Sequence, residues 1–242
     1  MKSPRRINSF NFPEGYVFDG KFKIISKLGG GWEGEVYRVQ ELLTGIERAA
    51  KFFLPHRNRG NRSATFYAKK LHRLRHCSIL IHYLTVNIMD FEGVPVTYLI
   101  SEYVEGITLG EFIDLQKGKR LNSFQALHLL YALAKGISEI HKMKEYHGDL
   151  HTGNVIVQRH GLGFDLKLVD MYNWGKVFRE NYQSDICNLI RIFYDSLGGA
   201  KYYSKQPKEI KEIACGLKQT LILTKFNNIF RLTNHLENME WD

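Results

Sequence analysis

The chain has 242 residues, 44% hydrophobic and 24% charged, enough for one large domain or two smaller lobes and too apolar for a wholly disordered polymer. Its net charge is +9, from 34 Lys and Arg against 25 Asp and Glu, and it holds no run of about 18 apolar residues, so no membrane span is expected. Three well-separated cysteines, Cys77, Cys187 and Cys215, exclude a disulfide framework or a zinc site, and the start of the chain has no secretory signal; free thiols in the cytoplasm are the expectation.

Residues 1–15 read as a flexible tail. Strands are expected at Lys21–Ser26, Glu35–Val39 and Glu47–Phe53, the last two joined by a Leu43-Thr44-Gly45 turn. Thr65–Arg75 reads as a helix with Tyr67, Leu71 and Leu74 on one face and Lys69, Lys70 and Arg73 elsewhere. Two further strands, Thr85–Asp90 and Val96–Ser101, turn at Glu92-Gly93. Ser123–Met143 is expected as a long amphipathic helix capped by Asn122 or Ser123. Val155–Val157 and Leu166–Val169 pair around Gly161-Leu162-Gly163, and Ser184–Trp241 reads as helical. From Arg48 to Cys77 there are nine Lys or Arg and no acid. That block suits an acidic protein, a nucleic acid or a nucleotide; a solvated helix face gives the same composition.

Four sites carry candidate chemistry. Gly29, Gly31 and Gly34 lie between two strands with Val36 just beyond, where glycine lets backbone N–H groups approach phosphate oxygens; any glycine-rich hairpin shares this pattern. Ala49-Ala50-Lys51-Phe52 puts an ammonium on an apolar strand, which calls for an anionic partner or a snorkelling stem. His147-Gly148-Asp149-Leu150-His151-Thr152-Gly153-Asn154 has the D-x-x-x-x-N spacing, able to orient a hydroxyl with Asp149 and hold a metal with Asn154. Asp170 ends the strand Leu166–Val169, a suitable carboxylate for Mg²⁺.

In this order the four elements resemble the eukaryotic-type protein kinase superfamily, in an atypical, minimal, bacterial-like Ser/Thr form, from about Phe18 to the C-terminus. The resemblance implies an α+β fold of two lobes, a β-rich N-lobe over 16–103 and an α-helical C-lobe over 104–242 with a truncated activation segment. It implies ATP and Mg²⁺ as cofactors and a protein as acceptor. Gly29, Gly31, Gly34, Val36, Ala49 and Lys51 would then contact the nucleotide, and the backbone of Glu102 and Val104 would bind adenine behind a small Ser101. Asp149 would be the catalytic base, Asn154 and Asp170 the metal ligands, and Lys51 the partner of the α/β phosphates. Asp185 would brace the catalytic loop.

Four positions depart from the family pattern. Tyr67 stands where the helix glutamate that pairs with the strand lysine belongs, so Lys51 must turn to phosphate, Asp170, Tyr67, Glu33 or Glu35. Gly148 replaces the arginine that receives an activation-loop phosphate. Only 14 residues separate Asp170 from Asp185, none of them threonine. His151 and Tyr172 replace a lysine and a glycine, and the H-G-D-L-H-x-G-N form is also similar to that of aminoglycoside and choline phosphotransferases. Three readings follow: a Ser/Thr protein kinase without helix or activation-loop switches, a small-molecule phosphotransferase, and a nucleotide-binding pseudokinase scaffold.

Overall fold

The structure, a computed structural model, describes residues 6–161, 163–172 and 175–239. The chain divides into two units, Met1–His76 with Ile81–Val104, and Cys77–Leu80 with Glu105–Asp242.

Unit 1 is built on an antiparallel sheet. Its strands are β1 (Val17–Phe18), β2 (Phe22–Gly30), β3 (Gly34–Glu41), β4 (Glu47–Phe53), β5 (Tyr83–Phe91) and β6 (Val94–Glu102), in the spatial order β1-β2-β3-β4-β6-β5. The alternation of apolar residues puts Ile24, Tyr37, Val39, Phe52 and Tyr98 into one buried cluster. Phe18, Phe52 and Tyr98 meet there at ring-centroid distances of 5.1–5.6 Å. Helix α1 (Arg62–Arg73) packs near β5 and β6. Contrary to the helical-face reading, Lys70 is only 1% exposed. It stands three positions from Tyr67, on the same side of the helix.

The expected tail is a correction. From Ile7 onward it belongs to the core: Ile7, Phe10 and Phe12 are buried in the unit 1 cluster, and Phe12 lies 4.8 Å from the Phe52 ring. Each buried aromatic contributes roughly 2 kcal/mol, enough to offset the ordering of a few residues. Met1–Arg5 lie outside the described residues.

Unit 2 begins with β7 (Ile107–Thr108), α2 (Leu109–Asp114) and α3 (Ser123–Lys142). Asn122 caps α3 in a reciprocal pair with Gln125. Strands β8 (Val155–His160) and β9 (Phe164–Leu168) join β7 in a small sheet; Leu162 of the expected turn lies outside the described residues. Helices α4 (Arg179–Ser196), α5 (Ala200–Tyr203), α6 (Lys208–Ala214), α7 (Gln219–Lys225) and α8 (Ile229–Glu237) complete it; Trp241 of the expected helical run lies outside the described residues. The apolar stripe Leu129, Leu130, Leu133, Ile137 and Ile140 of α3 is buried, and α3 packs on α4 and α8. The segment Cys77–Leu80 belongs here: Ile79 accepts the Leu168 N–H at 2.7 Å, and a methyl at Gly136 would lie 2.2 Å from the Ile79 side chain. Among the described residues, no helix is long and apolar enough to cross a membrane.

Candidate active site

In unit 1 the turn between β2 and β3 carries the glycines. Gly31 donates its N–H to Gly34 O at 2.8 Å. None of Gly29, Gly31 and Gly34 has a positive φ, so conformational freedom is not what these positions use. The reason at Gly34 is space: a methyl there would lie 1.9 Å from the Phe52 carbonyl oxygen. At Gly29 and Gly31 a methyl would meet nothing within 4 Å; these glycines keep an open surface beside the backbone. Val36 pairs with Lys51 across β3 and β4, Ala49 with the buried Ser101 across β4 and β6.

Lys51 meets two of the partners open to it. Its ammonium lies 3.4 Å from the Glu33 carboxylate and 4.8 Å from the centroid of the Tyr67 ring. Glu35, the neighbouring acid, is engaged elsewhere. It takes Lys27 at 2.8 Å, the Tyr37 hydroxyl and the N–H groups of Phe10 and Asn11 at 3.3 and 3.1 Å. Burial pushes the Glu35 carboxyl up, but the hydrogen bonds from Lys27, Tyr37 and Asn11 outweigh it, and the group sits below the ordinary glutamate range. Glu102 joins β6 to the chain at His82: its N–H donates to His82 O and its carboxylate accepts the His82 N–H, both at 2.9 Å. Val104, two residues beyond, is half-buried.

In unit 2 the loop from His147 to Asn154 hangs on Asp185. This fully buried carboxylate accepts the His147 N–H at 2.8 Å and the Gly148 N–H at 2.9 Å, and lies 3.0 Å from His141 Nε2. Gly148 has φ +86°, and a methyl would lie 2.9 Å from the Tyr146 ring and 3.0 Å from the Tyr172 carbonyl oxygen. A side chain at 148 would therefore strain the backbone and need the Tyr146 ring to shift. Asn154 donates its amide to the Asp149 carbonyl at 2.9 Å and to the Asp149 carboxylate at 3.3 Å. His151 Nε2 stands 3.9 Å from the same carboxylate.

Asp170 follows β9 with φ +54°, a left-handed turn that aspartate tolerates better than most side chains. The chain on either side of it is pinned to the loop: Val169 N–H donates to Asn154 O at 3.0 Å, and Tyr172 N–H to His147 O at 2.9 Å. The structure thus brings Asp149, Asn154 and Asp170 together within unit 2, and Lys51, Glu33 and Tyr67 within unit 1. Sequence reasoning missed His141 as a partner of Asp185 and Glu35 as the anchor of the first residues. A signal for His141 existed: it lies four positions after Ile137, on the apolar stripe of α3.

The donor set suits Mg²⁺. With its amide nitrogen turned to Asp149, Asn154 offers an oxygen, and Asp170 a carboxylate. A hard cation that takes few protein oxygens and completes its shell with water and phosphate needs no more. Among the described residues no group of three or more His, Cys, Asp or Glu is placed to hold a metal ion.

Comparison with known proteins gives the family. The chain is 32% identical over 159 residues to the serine/threonine-protein kinase pkn2 of Myxococcus xanthus, covering 65% of this chain and 18% of that protein. It is 26% identical over 157 residues to the serine/threonine-protein kinase PrkC of Bacillus subtilis, covering 64% and 23%. It therefore spans only about a fifth of the length of these relatives. The fold is similar to that of the Mycobacterium tuberculosis PknI kinase domain, a C20A_R136A double mutant, with TM-score 0.68 and 15% identity over 94% of this chain and 98% of that one. The protein kinase domain model matches residues 22–204, so the chain belongs to the protein kinase family.

Proposed function

We propose that the protein transfers the γ-phosphoryl group of ATP, with Mg²⁺, to a serine or threonine hydroxyl of a protein, its own chain included. The observation that carries this reading is the loop geometry of unit 2: Asp185 fixes the backbone at 147 and 148, and Asn154 fixes Asp149. The names of the relatives pkn2 and PrkC support the acceptor class.

In this reading Asp149 orients the acceptor hydroxyl and takes its proton, which needs an exposed carboxylate held still; Asp149 is exposed and braced by Asn154. Asn154 and Asp170 would hold Mg²⁺, which when bound neutralises phosphate charge. Lys51 binds the α and β phosphates, the surface open beside Gly29 and Gly31 lets the loop backbone lie close to them, and Gly34, Val36 and Ala49 line the nucleotide. The backbone of Glu102 and Val104 receives the adenine.

The free thiols support a reducing compartment, the cytoplasm. Of the basic block, Arg48 pairs with Glu41 at 2.8 Å, Arg57 stacks on Trp32 and Lys70 is buried. Arg59, Arg62, Lys69, Arg73 and Arg75 are exposed, and these are the cations we assign to an acidic protein or nucleic acid.

Incubation with labelled ATP and Mg²⁺ tests the reaction. Wild type is expected to label itself or an added protein. Asp149→Asn is expected to lose at least about 10²-fold in rate while still binding ATP. Turnover by that variant at the wild-type rate would refute the role of Asp149. Label appearing only on small hydroxyl compounds would move the protein to the small-molecule reading.

A further inference from the structure

The turn between β2 and β3 is held from several sides. The Glu33 carbonyl accepts the Leu54 N–H at 2.9 Å. The Arg57 guanidinium lies 4.2 Å from the Trp32 ring centroid. The Glu33 carboxylate reaches the Lys51 ammonium at 3.4 Å. The turn thus delivers its own anion to the cation that the nucleotide reading assigns to phosphate. No acid lies between Glu47 and Asp90, so α1 cannot supply one.

A carboxylate and phosphate oxygens sharing one ammonium bring like charges to contact distance. The repulsion grows with the phosphate charge and falls when a divalent cation neutralises it. The face of Tyr67 attracts the same ammonium without carrying charge, so it creates no such conflict. Glu33 and Tyr67 therefore have different tasks at Lys51.

We propose that Glu33 is a specificity-determining residue, an internal counter-ion that nucleotide phosphates must displace from Lys51, and that Tyr67 is the positioning residue that keeps Lys51 in place through the exchange. Glu33 penalises metal-free ATP more than metal-bound ATP and has no effect on adenosine, which carries no phosphate. This rests on the nucleotide reading above, and it deepens that reading by assigning its selectivity.

Calorimetric titration of the whole chain with ATP and with adenosine, in Mg²⁺ and in EDTA, separates these effects. Glu33→Gln is expected to bind ATP roughly fivefold tighter, the strength of one partly exposed ion pair. The gain should be larger in EDTA than in Mg²⁺, and adenosine affinity should not change. Glu33→Ala, a second variant, is expected to behave alike, and Glu33→Asp to stay near wild type. Tyr67→Phe keeps the ring face and should match wild type, whereas Tyr67→Leu should weaken ATP but not adenosine. ATP binding unchanged or weaker in both Glu33→Gln and Glu33→Ala overturns the counter-ion role, as does an equal gain for adenosine. Wild-type affinity in Tyr67→Leu overturns the positioning role. Wild type that binds adenosine but no ATP in any buffer refutes the phosphate site itself, and the inference falls with it.

Discussion

A methyl group at Gly34 would meet the Phe52 carbonyl oxygen of the neighbouring strand, whereas one at Gly29 or Gly31 would meet open space. Gly34→Ala is therefore expected to destabilise the protein by about 1–3 kcal/mol, because β3 and β4 must move apart. Gly29→Ala and Gly31→Ala should stay within about 0.5 kcal/mol of wild type in urea unfolding. An equal cost at all three would remove the distinction. The motif identified these positions, but it could not separate a glycine required by its own sheet from one that leaves room for a ligand. Lys51 is similar. Its partners were legible as a short set of candidates, and only the fold chose Glu33 and Tyr67 over Glu35, which is held by Lys27 and the N-terminal residues.

The segment from Ile7 to Phe12 is the element that composition misread. Two phenylalanines at alternate positions are too short a pattern to declare a strand-like segment, and their partners, Phe52 and Phe91, lie about forty and eighty positions away in sequence. What fixes the segment is Glu35, reached by the Phe10 and Asn11 N–H groups. Because the folded carboxyl lies below its ordinary value of 4.5, its ionised form stabilises the fold. That contribution is complete above the ordinary value and is lost as the pH falls through the lowered one. Hydrogen exchange at Phe10, Asn11 and Phe12 is expected to lose protection across that acid window in wild type and to lack this dependence in Glu35→Gln. Strands, α1 and α3 were readable because each carries a sustained apolar periodicity; the ends of α1 moved by three and two residues and the C-terminal end of α3 by one, because periodicity marks the middle of an element better than its ends.

For the molecule as a whole, the β-rich first unit and the helical second one were legible from the change in pattern near residue 105, and the family from the order of four motifs. The return of Cys77–Leu80 to unit 2 was not, because four residues show no periodicity. Gly148 bears on the expected response to phosphorylation. Its backbone, closed in by Tyr146 and Tyr172, leaves no guanidinium to receive a phosphate. Treatment with a protein phosphatase before the assay is therefore expected to leave the initial rate of phosphoryl transfer unchanged. A large loss of rate, restored on incubation with ATP, would show that a phosphorylated residue controls the enzyme after all.

The placement of Ile79 and Leu80 also orders events during synthesis. Leu80 bridges to Leu168 and Ile79 fills the space left by Gly136. These partners leave the ribosome long after the first unit's last strand has been made. A nascent chain that has completed β6 thus carries two apolar side chains with nowhere yet to go, and α3 and β9 must emerge before that stretch can be covered.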